Sequence, residues 1–313
     1  MRPLSILVTG SSGTIGTELT ERLLASNHQV YPVDTVPNRW SAEVEKHTTH
    51  LDLCDVQSLE ELPSDIDLVV HLAANARVHA LVQNPGGAKE NIDMTFNILE
   101  YAREVGANIV FGSSREVYGN NGKIIYSEED TYVDECESPY TASKIAGESL
   151  IKSYENCYDI EACTLRFSNV YGRYDASNRV IPLFIAQASA GQDLTVFGEE
   201  KVLDFTYLDD CVDGIRQVIE NFDKVKGTTF NIASGKGASL VELAELLTES
   251  LDTDSQVHVE PSRTGEVTRY VADTSKAQKI LDYEPTYSFA EGIMETVDWY
   301  TDNEHLFDDI LSR

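Results

Sequence analysis

A glycine-rich turn near the start of the chain restricts the fold more than any other feature. The segment VTGSSGTIG, residues 8–16, overlaps the end of the apolar run Leu4–Thr9 and leads into a helical pattern with Ile15, Leu19 and Leu23 on one face. Glycines at three-residue spacing allow a tight turn, and they let backbone N–H groups approach a diphosphate at a helix N-terminus. A strand, this turn and a helix in that order predict a dinucleotide-binding unit, and a turn without a ligand is the alternative.

An acidic residue ends the second predicted strand, Val30–Asp34. Asp34 follows Gly16 by 18 residues. A carboxylate at this place can bind the adenosine ribose hydroxyls and would repel a 2′-phosphate. The sequence therefore favours NAD over NADP as the cofactor.

Strands and helices alternate through the first half of the chain, which predicts an α/β fold with a doubly wound parallel sheet covered on both faces. The further strands are expected to end within His50–Leu53 and to span Asp67–Ala73, Asn108–Ser113 and Glu161–Phe167, with helices at Thr14–Ser26 and Gly87–Val105.

The pattern becomes irregular from about Tyr171 onward. We expect an NAD-binding Rossmann domain over residues 1–170, to which the chain returns near 204–232, and a smaller α/β substrate domain over 171–313. Capping boxes, Ser239 with Glu242 and Ser288 with Glu291, predict two helix starts there. The short strands predicted in this half are Leu194–Phe197, Asp204–Leu208, Thr229–Ile232 and Gln256–Glu260.

The segment SPYTASK, residues 138–144, carries the strongest catalytic signal. Ser138 is a good N-cap and Pro139 suits the first helical position, so Tyr140 and Lys144 share one helix face. A nearby ammonium favours the phenolate, which can take a proton from a sugar hydroxyl as hydride leaves. An exposed helix pair is the alternative for this spacing alone. Ser114, at the end of the fifth strand, can reach the same sheet edge.

The net charge of −29, from 53 acidic and 24 basic residues, is the main feature of the composition. Such a field repels nucleic acid and anionic membranes, so neither is an expected partner. The acids are dispersed along the chain, which favours adaptation to high salt, as in a halophile.

Cysteine and apolar patterns bear on the compartment. No apolar run reaches about 18 residues, so no transmembrane helix is expected. The five cysteines are scattered and without metal-ligand spacing, which predicts reduced thiols, a cytoplasmic location and no metal site. His71, within a predicted strand, is expected to be packed rather than catalytic, and Asp209 and Asp210 are expected at a helix start.

The chain resembles a known family in the order of its motifs. Besides the glycine turn and SPYTASK, it contains LDL at 51–53, HLAAN at 71–75, SSREVYG at 113–119 and RFSNVYG at 166–172. This order is typical of extended short-chain dehydrogenases/reductases. The chain is most similar to the nucleotide-sugar epimerase/dehydratase branch, typified by UDP-galactose 4-epimerase. Residues 261–285 also resemble that family's C-terminal block, so the resemblance covers nearly the whole chain.

The resemblance implies roles for individual residues, NAD as cofactor, a UDP-sugar as substrate and a homodimer formed through two long helices. The catalytic positions are Ser114, Tyr140 and Lys144, and substrate contacts fall on Ser114, Asn169 and Arg263. An exposed loop arginine is the alternative for Arg263. The implied cofactor contacts are Gly10, Gly13, Ile15, Gly16, Asp34, Asp52, Leu53, Leu72, Ala73, Ala74, Tyr140, Lys144 and Phe167.

Two departures from the family's pattern keep the reaction open. Leu203 stands where the family often has a diphosphate-binding arginine, and Arg115 stands where its dehydratases have an aspartate before Glu116. Epimerisation at C4 of a nucleotide-diphosphate sugar is the preferred function. Leu203 favours the alternative of a dehydrogenase that oxidises a free sugar and releases NADH. Glu116 supports a third possibility, a dehydratase or decarboxylase, and a catalytically silent dinucleotide-binding module is the non-enzymatic one.

Overall fold

The computed structural model describes residues 2–261 and 269–312. Its strands, in chain order, are β1 Ser5–Thr9, β2 Gln29–Asp34, β3 Thr49–His50, β4 Leu68–His71, β5 Asn108–Ser114, β6 Ile125–Tyr126, β7 Ala162–Phe167, β8 Asn169–Tyr171, β9 Leu194–Phe197, β10 Val202–Tyr207, β11 Thr228–Ile232, β12 Gly237–Ser239, β13 Val257–Glu260 and β14 Arg269–Ala272.

Its α-helices are α1 Thr14–Leu24, α2 Ala42–His47, α3 Val78–Gln83, α4 Gly86–Val105, α5 Pro139–Cys157, α6 Val180–Ser189, α7 Leu208–Glu220, α8 Phe222–Val225, α9 Leu240–Ser250, α10 Ser275–Leu281, α11 Phe289–Thr301 and α12 Phe307–Leu311. Short 3₁₀ turns occupy Val56–Glu61, Arg115–Tyr118, Val133–Glu135 and Glu304–Leu306.

Seven strands form a parallel sheet in the order β11-β7-β5-β4-β1-β2-β3. Both faces of this sheet are buried, as the continuous apolar strands require. In β1, Ile6 and Val8 pack into one core with α1 and α7, whereas Leu7 packs into another with α4 and α5. The predicted doubly wound α/β sheet is confirmed. Chain order reverses at β1, where such sheets bind ligands beyond the carboxyl ends of their strands.

A second, smaller α/β layer is built mainly from the later part of the chain, with β6 added from the first half. Strands β12, β10, β14 and β6 lie side by side, with β8 on β10, and β13 pairs with β9. Their apolar core includes residues of α6, α9, α11 and α12. The chain returns to the large sheet through β11, which pairs with β7. The residue limits of the two domains stay predictions.

Two predicted strand ends differ in how well they agree with the structure. The third strand ends at His50, within the predicted range, and beyond it the Asp52 carboxylate accepts a 2.9 Å hydrogen bond from the Cys54 backbone N–H. The strand predicted over Asp204–Leu208 ends at Tyr207, and Leu208 already begins α7.

The predicted helix starts agree with the structure. Ser138 caps α5 by accepting from the Thr141 backbone N–H, and capping boxes form at Ser239 and Ser288. Asp209 and Asp210 lie in the first turn of α7, where acidic groups face the positive end of the helix dipole. In the described part of the chain, no helix has the length and apolar character needed to cross a bilayer.

Candidate active site

The glycine turn between β1 and α1 has the shape that a diphosphate needs. A Cβ on Gly10, whose φ is +73°, would lie 2.7 Å from the Ala73 backbone nitrogen, and one on Gly16 would lie 2.0 Å from the Gly10 carbonyl oxygen. Gly13 has ordinary room, with its nearest neighbour at 3.4 Å. Gly13 is also the N-cap of α1 and no side chain caps that end. The turn thus leaves the helix N-terminus open toward an anionic group, so these residues fit NAD.

The Asp34 carboxylate stands beside this turn at the end of β2. One of its oxygens accepts from the Ser12 N–H at 2.9 Å and the other from the Val36 N–H at 3.1 Å. Carboxylate oxygens have further lone pairs, and Asp34 is only partly buried, so both can still accept from ribose hydroxyls. Asp34 therefore supports the turn, and its contact with the ribose stays a prediction.

The other residues predicted to contact the cofactor come together at the same edge of the sheet. Ala73 N–H donates to the Thr9 hydroxyl at 3.3 Å, which holds the segment after β4 against the glycine turn. Leu53 is buried, and its carbonyl accepts from Asn97 at 2.8 Å. At this edge also lie Ile15, Asp52, Leu72, Ala74 and Phe167, the last at the end of β7. Their contacts with NAD stay predictions.

Ser114, Tyr140 and Lys144 converge where β5 ends and α5 begins. Ser114 is the last residue of β5, and Tyr140 lies in the first turn of α5, packed against Leu81 and Ala88. The Ser114 hydroxyl lies close enough to the Tyr140 phenol to favour its ionised form. Tyr140 and Lys144 are both buried, so this helix pair differs from an ordinary exposed one.

Burial has a larger effect on the pKa of Tyr140 than any neighbouring group. It raises the pKa of Tyr140 to about 12, and nearby Glu116 acts in the same direction. Ser114, Arg179 and Arg115 oppose this rise in pKa. The protonated phenol is therefore favoured over the phenolate in the protein alone, because desolvation of the phenolate outweighs the neighbouring charges.

Burial also has the largest effect on the pKa of Lys144. Desolvation lowers the pKa of Lys144 to about 8, and the Glu148 carboxylate, one helical turn further on, opposes this shift. The Lys144 ammonium donates to the Gly112 carbonyl at 2.7 Å. Burial likewise lowers the pKa of His71 to about 3, with Lys144 contributing, and His71 contacts the Thr9 hydroxyl at 2.8 Å. His71 is thus a packed, neutral residue, as predicted.

Comparison with known proteins identifies the family. The model of the NAD dependent epimerase/dehydratase family matches residues 6–233. The chain belongs to this family. It is 32% identical to an uncharacterized UDP-glucose epimerase of Bacillus subtilis, over 94% of this chain and 97% of that protein.

Two solved structures of the family are similar throughout. UDP-glucose 4-epimerase of Thermotoga maritima, solved with UDP-glucose, has a TM-score of 0.88 and 29% identity, covering 96% of this chain and all (100%) of that one. DesIV of Streptomyces venezuelae, a dTDP-glucose 4,6-dehydratase solved with NAD and TYD, has a TM-score of 0.89 and 28% identity, covering 98% and 100%. The predicted fold, the extended short-chain dehydrogenase/reductase family and an NAD-dependent enzyme are confirmed.

Two departures from the epimerase/dehydratase pattern meet at one aromatic ring. Leu203 lies opposite Tyr270 in the β10–β14 pair and packs against the cluster that contains it. The guanidinium carbon of Arg115 lies 5.4 Å from the centre of the same ring. Leucine thus stands where the family often has an arginine, while a different arginine approaches the same ring from the 3₁₀ turn after β5.

Besides Ser114, two residues are predicted to bind substrate, and the structure describes only one of them. The Asn169 side-chain oxygen accepts from Arg115 Nε at 3.2 Å, and its nitrogen donates to the Asp204 carbonyl at 2.9 Å. These bonds fix Asn169 at the start of β8, facing the edge where Ser114 lies. Arg263 lies outside the described residues, so its role stays a prediction.

A buried ion pair between Arg166 and Glu148 was not predicted from the sequence, and Glu148 lies on the same face of α5 as Lys144. Arg166 donates to Glu148 through Nε at 2.9 Å and Nη2 at 2.7 Å, and Ser113 donates to the same carboxylate at 2.6 Å. Both partners are largely buried. The signal was present as an acid four residues after Lys144, because that spacing returns to the same helix face.

A second missed residue is Asp204, which is fully buried. Its carboxylate accepts from the backbone N–H groups of Ser234, Gly235 and Ala272 at 3.0 to 3.1 Å, and from the Ser234 hydroxyl at 2.7 Å. Burial raises its pKa and these bonds oppose the rise. Asp204 therefore joins β10 to β14 and to the loop after β11, next to Asn169.

Proposed function

We propose that the protein epimerises a nucleotide-diphosphate sugar, a UDP-sugar, at C4 through a transient 4-keto intermediate. The observation that carries this proposal is the convergence of the Ser114 hydroxyl and the buried Tyr140 phenol at the sheet edge formed by the glycine turn. The NAD cofactor, when bound there, supplies hydride acceptance and return. The relatives described as UDP-glucose epimerases support a UDP-sugar as the substrate.

The chain's own residues perform the proton chemistry. Tyr140 takes the proton of the sugar hydroxyl, and Ser114 bonds the same oxygen and fixes its distance from the phenol. Arg115 and Arg179 favour the phenolate electrostatically. The Lys144 ammonium supplies a positive charge on the tyrosine helix and is one of the residues that would hold the cofactor. Burial of this site excludes water from the keto intermediate.

The substrate is held on the side of the second α/β layer. Asn169 is fixed by Arg115 and Asp204, and we assign it and Arg263 to the diphosphate. A guanidinium suits this role because it can bind phosphate oxygens in a bidentate manner. The net charge of −29 makes such local cations necessary for an anionic substrate.

One assay separates this proposal from its alternatives. The protein is supplied with UDP-glucose, UDP-galactose, UDP-N-acetylglucosamine, UDP-glucuronate and free aldoses, and both NADH and sugar products are measured. An epimerase yields the C4 epimer of one UDP-sugar without net NADH. Net NADH from a free aldose would favour the dehydrogenase that Leu203 suggests, and a deoxy-keto sugar would favour a dehydratase like DesIV. A silent binding module would give no product at all.

The remaining expectations belong to this proposal. We expect a homodimer formed through α4 and α5, because Phe96 on α4 and Tyr158 at the end of α5 are apolar and exposed. Light scattering at micromolar concentration tests this. The five free cysteines support a reducing, cytoplasmic location. The acidic composition supports adaptation to high salt, which is tested below.

A further inference from the structure

An arginine and a glutamate form an ion pair beside the candidate catalytic tyrosine. Arg115 Nη2 lies 2.9 Å from Glu116 Oε1, and each side chain is 14% exposed. Both charges act on Tyr140, in opposite directions. The pair therefore lies near the place where a sugar bound to Tyr140 and Ser114 would sit.

The pair is held rigidly. The 3₁₀ turn that carries it is anchored by Val117 and Tyr118, which are fully buried, and Ser114 caps it by accepting from the Glu116 N–H at 3.2 Å. Arg115 is fixed from two further sides, by Asn169 at 3.2 Å and by the Tyr270 ring at 5.4 Å. The guanidinium is thus oriented before any substrate binds, and one oxygen of Glu116 is already engaged.

The proposed reaction creates a sugar ketone next to this ion pair. Oxidation at C4 creates a ketone, and a ketone makes the hydrogens on the neighbouring carbons acidic. A carboxylate facing that sugar can remove such a hydrogen as a proton, and the C–H electron pair then moves into the carbonyl to form an enolate. The enolate regains a proton from the same acid, or from solvent after exchange. This side reaction leads toward loss of substituents from the ring rather than toward epimerisation.

We propose that Arg115 holds Glu116 in the ion pair and so prevents it from acting as a base toward the keto sugar, which makes Arg115 a determinant of reaction outcome. The inference rests on the proposed function, because it needs a 4-keto intermediate. A competing role for Arg115 is direct binding of the substrate diphosphate near Tyr270. The two roles differ in what the variants do: a binding role changes KM, whereas a restraining role changes what happens to the ring hydrogens.

The test measures deuterium uptake from D₂O into the ring carbons of the UDP-sugar that the wild type epimerises. The variants are Arg115→Met, Arg115→Lys and the double variant Arg115→Met with Glu116→Gln. Arg103→Met is the matched control, because Arg103 pairs with Glu100 at 2.7 Å on the exposed face of α4. NMR gives the deuterium incorporated per epimerisation event, and circular dichroism verifies that each variant is folded.

We expect wild type and Arg103→Met to incorporate almost no deuterium at carbon. Arg115→Met should incorporate about 100-fold more per turnover, the scale of a positioned general base. Arg115→Lys should restore the wild-type result in part, and the double variant should abolish the uptake. Epimerisation by Arg115→Met with raised KM and no deuterium at carbon would overturn the inference in favour of diphosphate binding. An inactive wild type would instead overturn the proposed function, and this inference with it.

Discussion

The ammonium of Lys144 lies 5.9 Å from the centre of the Tyr140 ring, on the same face of α5. Burial moves their pKa values in opposite directions, to about 12 for the tyrosine and about 8 for the lysine. In the protein without NAD, neutral pH therefore leaves the phenol protonated and the ammonium charged. A positively charged cofactor beside the phenol would favour the phenolate that takes the substrate's proton.

Removal of the phenol oxygen tests the tyrosine as the proton-transfer group. Tyr140→Phe should lower kcat for epimerisation by about 10²- to 10⁴-fold, the range of a general acid–base group. The fold should persist, because the ring remains packed against Leu81 and Ala88. Tyr132→Phe is the matched control, since Tyr132 is exposed, and its rate should equal that of the wild type. Equal rates for both variants would contradict the assignment.

The lysine predicts a pH dependence. Its pKa is lowered to about 8, so the ammonium is lost as pH rises through that value. Activity that needs the ammonium should be complete well below pH 8 and should fall above it, seen as a basic limb in kcat/KM. Lys144→Arg keeps a positive charge to far higher pH, so its residual activity should stay level through pH 8 to about 10. A basic limb at the same pH in both proteins would exclude Lys144 as its source.

The buried ion pair of Arg166 and Glu148 predicts an effect on the stability of the fold. Glu148→Gln leaves the Arg166 charge unpaired in the interior and should lower the free energy of unfolding by about 3 to 5 kcal/mol. Glu220→Gln is the control, because Glu220 pairs with Arg216 on the exposed surface of α7, where such a pair contributes about 0 to 1 kcal/mol. Urea unfolding measures both. Similar losses of unfolding free energy in the two variants would show that the buried pair stabilises the fold no more than the exposed pair does.

The net charge of −29 predicts a salt dependence of stability. Salt shortens the screening length from about 10 Å at 0.1 M to about 3 Å at 1 M, which removes repulsion among exposed carboxylates. The unfolding midpoint should rise between low and molar KCl, and sucrose, which carries no charge, should not reproduce the screening part. Equal or higher stability at low salt would contradict adaptation to high salt.

The features that could be predicted from the sequence are local ones. The glycine turn, the Ser138 cap and the alternation of strands and helices depend on neighbours within a few residues, so sequence spacing determines them. Asp34 and Ser114 could also be placed, because residues that end parallel strands meet at one edge of the sheet. These local signals were enough for the fold and for the position of the candidate site.

The parts that could not be predicted depend on distant residues. The buried carboxylate of Asp204 is satisfied by hydrogen bonds from Ser234 and Ala272. Nothing near Asp204 in the sequence indicates these partners. The largest effect on the pKa of Tyr140 is burial, to which packing by Leu81 contributes, and residues distant in sequence produce that burial. The contact of Arg115 with Tyr270 likewise joins the 3₁₀ turn after β5 to β14, which lies far away in sequence.

The most direct test of the proposed epimerisation follows the hydrogen at C4. A UDP-sugar labelled with deuterium at C4 is incubated with the protein and NAD, and both epimers are analysed by NMR and mass spectrometry. The proposed mechanism predicts that the two epimers form and that each retains its deuterium at C4, because the hydride returns to the carbon it left. Deuterium in released reduced cofactor, at another carbon or lost to solvent would contradict it.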